Sequence, residues 1–285
     1  ILKRQGICSQ DKKYLLPARI SAIEDIRSIM KICAEEIKKY FNDCTDIIVL
    51  DTVDSTNNIA KQLAVQGCAD RTLVIAKKQT QGRGRMGRSF ISNEDNGIYM
   101  SLALRPDLHI SDSIYITVMC AVAVSEAIEE LCNVNCLVKW VNDIYIGNKK
   151  VCGILTEAAQ LTDKLDYAVV GIGVNVTEPK GGFNDEIKDI ATSLYEKNAP
   201  VNIKNRLIAK ILEKFFHYYS NIKDKAFISK YREKSNLIGK GVDIYRGNEI
   251  ISGICVDIDE DANLVIEKDG ERLTFNSGDA RVKRQ

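Results

Sequence analysis

Residues 77–90 read Lys-Lys-Gln-Thr-Gln-Gly-Arg-Gly-Arg-Met-Gly-Arg-Ser-Phe. Gly82, Gly84 and Gly87 alternate with Arg83, Arg85 and Arg88. Glycine lets a backbone bend tightly and lets a ligand approach it closely. Arginine adds a permanent planar fork for phosphate or carboxylate. Such a loop can wrap an anion, although an isolated run of this kind reads equally well as a solvated basic loop. Its spacing is neither that of the phosphate loop ending in Gly-Lys-Ser/Thr nor that of the dinucleotide fingerprint. The neighbours have to decide.

Working outward, residues 73–77 read as the strand that delivers the loop, and residues 47–50 as an earlier buried strand. Between them, residues 51–58 are dense in helix-capping and polar ligand-binding types, and a helix runs on to about Val65, ended by Gly67. Residues 97–104 form a third strand closed by Pro106. Ser111 caps a long helix to Leu131 that is apolar on most faces and therefore central. Residues 136–140 and 143–146 flank Val141-Asn142 as paired strands. Strands continue at 151–158 and 167–176, followed by a surface excursion over 183–200. Residues 203–231 contain a long amphipathic helix. Short β segments at 242–245, 250–257, 264–267 and 272–275 read as a small barrel. At the other end, residues 21–41 have helical periodicity, and residues 1–17 read as the trailing end of another unit.

The 285 residues carry 40 basic and 39 acidic side chains, a net charge of +1, so no global field recruits nucleic acid or membrane. The longest apolar run, residues 114–124, is too short to span a bilayer. Nine cysteines without a Cys-x-x-Cys pair, and only two histidines, argue against a zinc site. An odd cysteine count without a secretion signal fits reduced thiols and a cytoplasmic protein.

Five segments then fall into one order: Asp54-Ser55-Thr56-Asn57; Gln79-x-x-Gly82-Arg83-Gly84-Arg85-x-Gly87-Arg88; Lys139-Trp140-x-Asn142-Asp143; Lys150-x-x-Gly153-Ile154-Leu155-x-Glu157; and Gly171-Ile172-Gly173-Val174-Asn175. Together they closely resemble the biotin protein ligases over residues 45–285. The resemblance implies an α/β (α+β) fold. Its catalytic domain, a mixed-sheet class II synthetase-like unit, would cover residues 18–236, with a C-terminal SH3-like β-barrel over 237–285. Residues 1–17 resemble the end of the winged helix-turn-helix domain of the bifunctional ligase–repressor branch.

What the resemblance implies chemically is a two-step transfer. Biotin and ATP give biotinyl-5′-adenylate and pyrophosphate, and a lysine of a biotin carboxyl carrier domain then displaces AMP. Mg²⁺ would arrive with ATP, with no metal site of the protein's own. Ser55, Thr56, Asn57 and Gln79 map to polar contacts with biotin, suiting a ureido ring that both donates and accepts; helix capping by residues 55–57 is compatible with that role. Gly82, Arg83, Gly84 and Arg85 map to the loop over biotin and the adenylate phosphate. Lys150 maps to the family's essential lysine, although without its flanking motif it reads as a solvated hairpin residue. Asp143 maps to the carboxylate that orients the carrier lysine, and Arg85, Lys150 and Asp143 form the catalytic set. Lys139, Asn142, Gly153 and Asn175 are supporting residues, as is Trp140, which equally reads as core. A homodimer is expected, and operator DNA binding if the full N-terminal domain is present.

Val141 stands where the family often has proline, Phe90 where it often has tryptophan, and Ser92-Asn93 where it often has Ser-Pro. Two readings compete. One is a lipoate ligase or octanoyltransferase of the same fold, against which Gly-Arg-Gly-Arg argues. The other is a DNA-binding regulator without ligase activity, disfavoured by the net charge.

Overall fold

The structure is a computed structural model that describes residues 31–92 and 95–283. Residues 1–17 and most of the helix expected over 21–41 lie outside them. The described part of that helix is α1, Ala34–Lys38.

A seven-stranded mixed sheet organises the chain, in the order β1-β2-β3-β7-β6-β5-β4. Its strands are β1 (Asp46–Val53), β2 (Thr72–Gln79), β3 (Gly97–Leu104), β4 (Leu137–Lys139), β5 (Asp143–Ile146), β6 (Lys149–Leu161) and β7 (Lys164–Asn175). Only β1 and β2 run parallel, joined by α2 (Thr56–Val65); the remaining neighbours are antiparallel. As expected, β4 and β5 pair around Val141-Asn142, and the Trp140–Val141 peptide in that turn is cis.

The two faces of the sheet bury different layers. Leu73, Ile75, Met100, Leu102, Val170 and Ile172 join the main core with α3 (Ser113–Cys132), α4 (Ile203–Ser220) and α5 (Phe227–Glu233). α3 packs on both of the other helices, and its buried residues lie all round it, in keeping with a central helix. It begins two residues later than Ser111, because Ser111 belongs to a short 3₁₀ turn in which its N–H bonds His109 Nδ1.

On the opposite face Val74, Ala103, Tyr167 and Val169 meet Ala60 and Ala64 of the small helix α2. α2 covers only part of this face. The uncovered part carries Gly171 opposite Ser101 and Leu155, and Gly173 opposite Tyr99 and Gly153. With a side-chain period of two, Gly171-Ile172-Gly173-Val174 places its glycines on one face and its apolar residues in the core. A Cβ on Gly171 would fall 2.0 Å from Asn57 Oδ1, and one on Gly173 2.7 Å from the Phe90 ring. These glycines clear the floor of the site.

A second, five-stranded antiparallel sheet follows: β8 (Gly241–Arg246), β9 (Glu249–Ile258), β10 (Leu264–Lys268), β11 (Glu271–Phe275) and β12 (Asp279–Val282). Its order, β11-β10-β9-β8-β12, corrects the expected barrel: β11 and β12 are opposite edges and do not pair, so the sheet stays open. β12, not foreseen in the sequence, pairs with β8. Trp140 Nε1 donates to Ala262 O at 2.9 Å and ties the two sheets together. All described cysteines are free. Among the described residues no helix is long and apolar enough to cross a membrane.

Candidate active site

Strand β2 ends in Gln79, and the Gly-Arg loop folds back over the uncovered face. Phe90 N–H donates to Gly82 O at 2.9 Å and Gly84 N–H to Arg88 O at 2.7 Å, so the loop forms a small hairpin. The Phe90 ring then lies over Gly153 and Gly173, edge-on to Tyr99 with centroids 6.4 Å apart.

Two cavities meet at this ring. The smaller, about 50 Å³, is bounded by Ser55, Thr56, Asn57, Gln79, Met100, Ile154 and the β7 glycines. The larger, about 700 Å³, runs beneath Lys139, Trp140, Asp143, Asn175, Phe183 and Asp279. Gly84, Arg85, Phe90, Asn142 and Lys150 line both.

Away from Arg83, Arg85 and Lys150 at its rim, the small cavity is lined by neutral polar groups bonded to one another. Thr56 N–H and Thr56 Oγ1 donate to Gln79 Oε1 at 2.8 and 3.1 Å. Gln79 Nε2 donates to Ser92 Oγ at 3.1 Å. Ser101 Oγ lies 2.8 Å from Thr56 Oγ1 and 2.7 Å from Asn57 Oδ1. Thr56, Asn57, Gln79, Ser92 and Ser101 are all buried, and buried polar groups of this kind persist when they are bonded. Ser55 holds the extended N-cap position of α2 but makes no side-chain capping bond; its hydroxyl faces the cavity instead.

Charge collects at the mouth. Lys150 Nζ sits 2.8 Å from Asp143 Oδ1 and 6.0 Å from the Phe90 ring centroid. Arg85 Nη1 donates to Asn142 Oδ1 at 3.1 Å and Nη2 to Gly278 O at 3.4 Å. Asn142 is fixed in turn, its Nδ2 donating to Ile154 O at 2.7 Å. Arg83 reaches Glu157 instead, through Nη2 to Oε1 at 3.0 Å and Nη1 to Oε2 at 3.1 Å. Gly153 lies under Lys150, where a Cβ would meet Nζ at 2.9 Å. Asn175 Nδ2 donates to Thr192 O at 3.0 Å, holding residues 176–202 as a wall of the large cavity.

Asp279, from the second sheet, accepts from Arg88 Nη2 at 2.6 Å and lies 3.9 Å from Lys139 Nζ. Burial raises the Asp279 carboxyl, but the Arg88 hydrogen bond and the Lys139 charge outweigh it and hold the group below its usual value. Burial pulls the Lys139 ammonium down, partly offset by Asp279 and Asp143. Burial, then Asp143 and Asp279, push the Tyr145 phenol up to about 12.

The residues read from the sequence therefore gather in one place, with Trp140 3% exposed and acting mainly as core and inter-sheet tie. Ser92, Ser101 and Asp279 were not foreseen as site residues, nor was the pairing of Glu157 with Asn57 and Arg83. The one available signal was Ser101, the single small polar side chain in a strand buried at every position.

Comparison with known proteins agrees with this geometry. Residues 49–175 match the Biotin/lipoate A/B protein ligase family, and residues 237–282 the biotin protein ligase C-terminal domain. The bifunctional ligase/repressor BirA of Bacillus subtilis is 38% identical over 224 residues, covering 78% of this chain and 69% of that protein. The biotin–[acetyl-CoA-carboxylase] ligase of Mycobacterium tuberculosis is 27% identical over 242 residues, covering 81% of this chain and 87% of that protein. A structure of the Aquifex aeolicus biotin protein ligase in complex with biotin and ATP is similar with a TM-score of 0.70 and 31% identity, covering 85% of this chain and all of that one. The shared catalytic family leaves lipoate ligases in view, and the second, biotin-ligase-specific match separates them. The chain belongs to the biotin protein ligase family.

Proposed function

We propose that the small cavity receives the biotin rings, that the large one receives ATP, and that the two react where the cavities meet. The carrying observation is that Arg85, Lys150, Asn142, Gly84 and Phe90 line both spaces. The acid's carboxylate and the nucleotide's α-phosphate must converge there, and both are anions.

A carboxylate oxygen attacks the α-phosphorus and pyrophosphate leaves with the electron pair of the broken P–O bond. Lys150 and Arg85 offset the charge that builds up, which is the dominant kind of catalysis for such a transfer. Mg²⁺ would arrive with the nucleotide in this reading and offset part of the phosphate charge beside Lys150 and Arg85. In the second step the neutral amine of a carrier lysine attacks the acyl carbon, the C–O bond to phosphate breaks, and AMP leaves. Asp143 accepts a hydrogen bond from that amine once Lys150 has turned to phosphate.

The space behind Phe90 holds on the order of a few waters, so Phe90 has to swing outward when biotin enters. Phenylalanine fills the place of the family's frequent tryptophan without an N–H to satisfy, which suits a ring that moves. Val141 packs its side chain into the main core, and its carbonyl accepts from Tyr231 Oη at 3.0 Å.

Catalysis by residues 18–236, with the second sheet closing the nucleotide side, is the proposed division of labour. A homodimer through a sheet edge fits the end strand β1, the other end strand, β4, being bonded through Val138 to Lys234 and Asn236; sedimentation with biotinyl-adenylate checks it. Operator binding is a second reading, favoured only by the likeness to relatives named ligase/repressors; a gel shift with and without biotinyl-adenylate tests it. The test of the main reading is mass spectrometry of a carrier domain incubated with the protein, ATP, Mg²⁺ and biotin. One biotinyl group on the carrier lysine is expected; no mass change, or lipoyl transfer at an equal rate, overturns it.

A further inference from the structure

Glu157 touches both the neutral network and the Gly-Arg loop and has no role in the chemistry above. Its carboxylate lies on the site face of β6, two residues beyond Leu155 and four beyond Gly153, beside the floor glycines. Oε2 accepts from Asn57 Nδ2 at 2.9 Å and from Arg83 Nη1 at 3.1 Å, and Oε1 pairs with Arg83 Nη2 at 3.0 Å. We propose that Glu157 is a positioning residue that fixes the orientation of the biotin-recognition network and fastens the Gly-Arg loop over it. The proposal rests on the biotin-ligase reading of the site.

An ionised carboxylate only accepts hydrogen bonds. The Asn57 amide must therefore turn its NH₂ toward Glu157 and toward Leu155 O at 3.3 Å, which leaves Oδ1 on Ser101. Ser101 has one proton and two acceptors within reach, Asn57 Oδ1 and Thr56 Oγ1. Thr56 spends its own proton on Gln79 Oε1, so Gln79 must face Ser92 with its NH₂. From Glu157 through Asn57, Ser101, Thr56 and Gln79 to Ser92 the network has a single sense. One of Ser101's two acceptors always remains unserved, and one Gln79 N–H remains unspent. An acceptor and a donor side by side are what a cyclic urea, with its N–H and C=O, can complete.

The other consequence concerns the loop. Arg83 binds Glu157 through two nitrogens and Asn58 Oδ1 at 3.0 Å. Because Oε2 serves Asn57 and Arg83 together, the pocket's polarity and the seating of the loop depend on one negative charge. A glutamine there keeps the shape, but its one oxygen can stand in for Oε2 only; its NH₂ then faces Arg83 Nη2, so that bond and the charge behind all three are lost.

The test compares the full chain with Glu157→Gln, Glu157→Asp and Arg83→Met. The readouts are KM for biotin, KM for ATP, kcat for pyrophosphate release, the rate of biotinyl-adenylate loss and the urea midpoint. Losing a charge-assisted bond corresponds to about a 10-fold change or more. Glu157→Gln is expected to raise KM for biotin and speed adenylate loss by about that factor, with KM for ATP and the urea midpoint little changed. Glu157→Asp recovers part of both losses. Arg83→Met speeds adenylate loss comparably but raises KM for biotin less. Unchanged biotin KM and adenylate lifetime in Glu157→Gln overturn the proposal, as does a rise in KM for ATP equal to that for biotin. If Glu157→Gln does not fold, the same two constants in Glu157→Asp and Arg83→Met decide. Wild-type protein that releases no pyrophosphate with biotin refutes the biotin reading itself, which the variants leave untouched.

Discussion

The two ends of the site are built on opposite principles. Around the small cavity Thr56, Asn57, Gln79, Ser92 and Ser101 are buried, uncharged and bonded to one another. Around the large one Arg85, Arg88, Lys150, Asp143 and Asp279 carry full charges, with Arg88 the most open to solvent. A buried, uncharged network discriminates, because a ligand with the wrong donors leaves a buried group unpaired at a cost of about 1–3 kcal/mol. Charges at an open mouth serve phosphate chemistry, where the transition state gathers negative charge. Selection of the acid and activation of the acid are therefore separable by mutation.

Lys150→Ala should break the charged end with the largest effect. Adenylate formation is expected to fall about 10²- to 10³-fold, while calorimetry still detects biotin binding. An equal loss of biotin affinity would show that the ends are not separate. Gly171→Val attacks the neutral end, where a Cβ would meet Asn57 Oδ1 at 2.0 Å. Overpacking of this order should raise KM for biotin about 10- to 100-fold with KM for ATP near normal. Ser101→Ala removes one proton from the network and should raise KM for biotin about 10-fold at nearly unchanged kcat.

The loop joins the two ends. Gly84→Val puts a Cβ 3.2 Å from Arg88 O and should speed adenylate loss a few-fold, about 1 kcal/mol. Hydrogen exchange over residues 82–88 should slow when biotinyl-adenylate is bound; equal protection in both states would count against loop ordering. The smallest effect concerns Asp279. Its carboxyl is held below the ordinary value of 3.8, so its stabilisation is complete above that pH and is lost as pH falls through the lower folded value. Asp279→Asn should flatten that acid limb slightly below about pH 4 and leave stability at pH 7 to 8 less pH-dependent than the limb itself.

Most of the sheet was legible because its strands announce themselves. Residues 47–50, 73–77 and 97–104 are apolar runs bounded by turn residues, and the first two motifs follow the first two of these runs. What was not legible depends on distance in sequence. Asn57 meets Glu157 across 100 residues and Arg88 meets Asp279 across 191, and no local pattern marks such partners. Ser111 looks like a helix cap, yet its bond to His109 starts the helix two residues later. The C-terminal β segments were readable one by one, but closure is a property of their pairing, and β12 is too short to stand out from the turn before it.

The most direct measurement is exchange of labelled pyrophosphate into ATP, driven in the same preparation by biotin, lipoate or octanoate. It reads the first step alone, without a carrier. The two-ended site predicts exchange with biotin, little above background with the other two acids, and loss of exchange in Lys150→Ala that still binds biotin. Exchange driven equally by lipoate, or undiminished in Lys150→Ala, would contradict it.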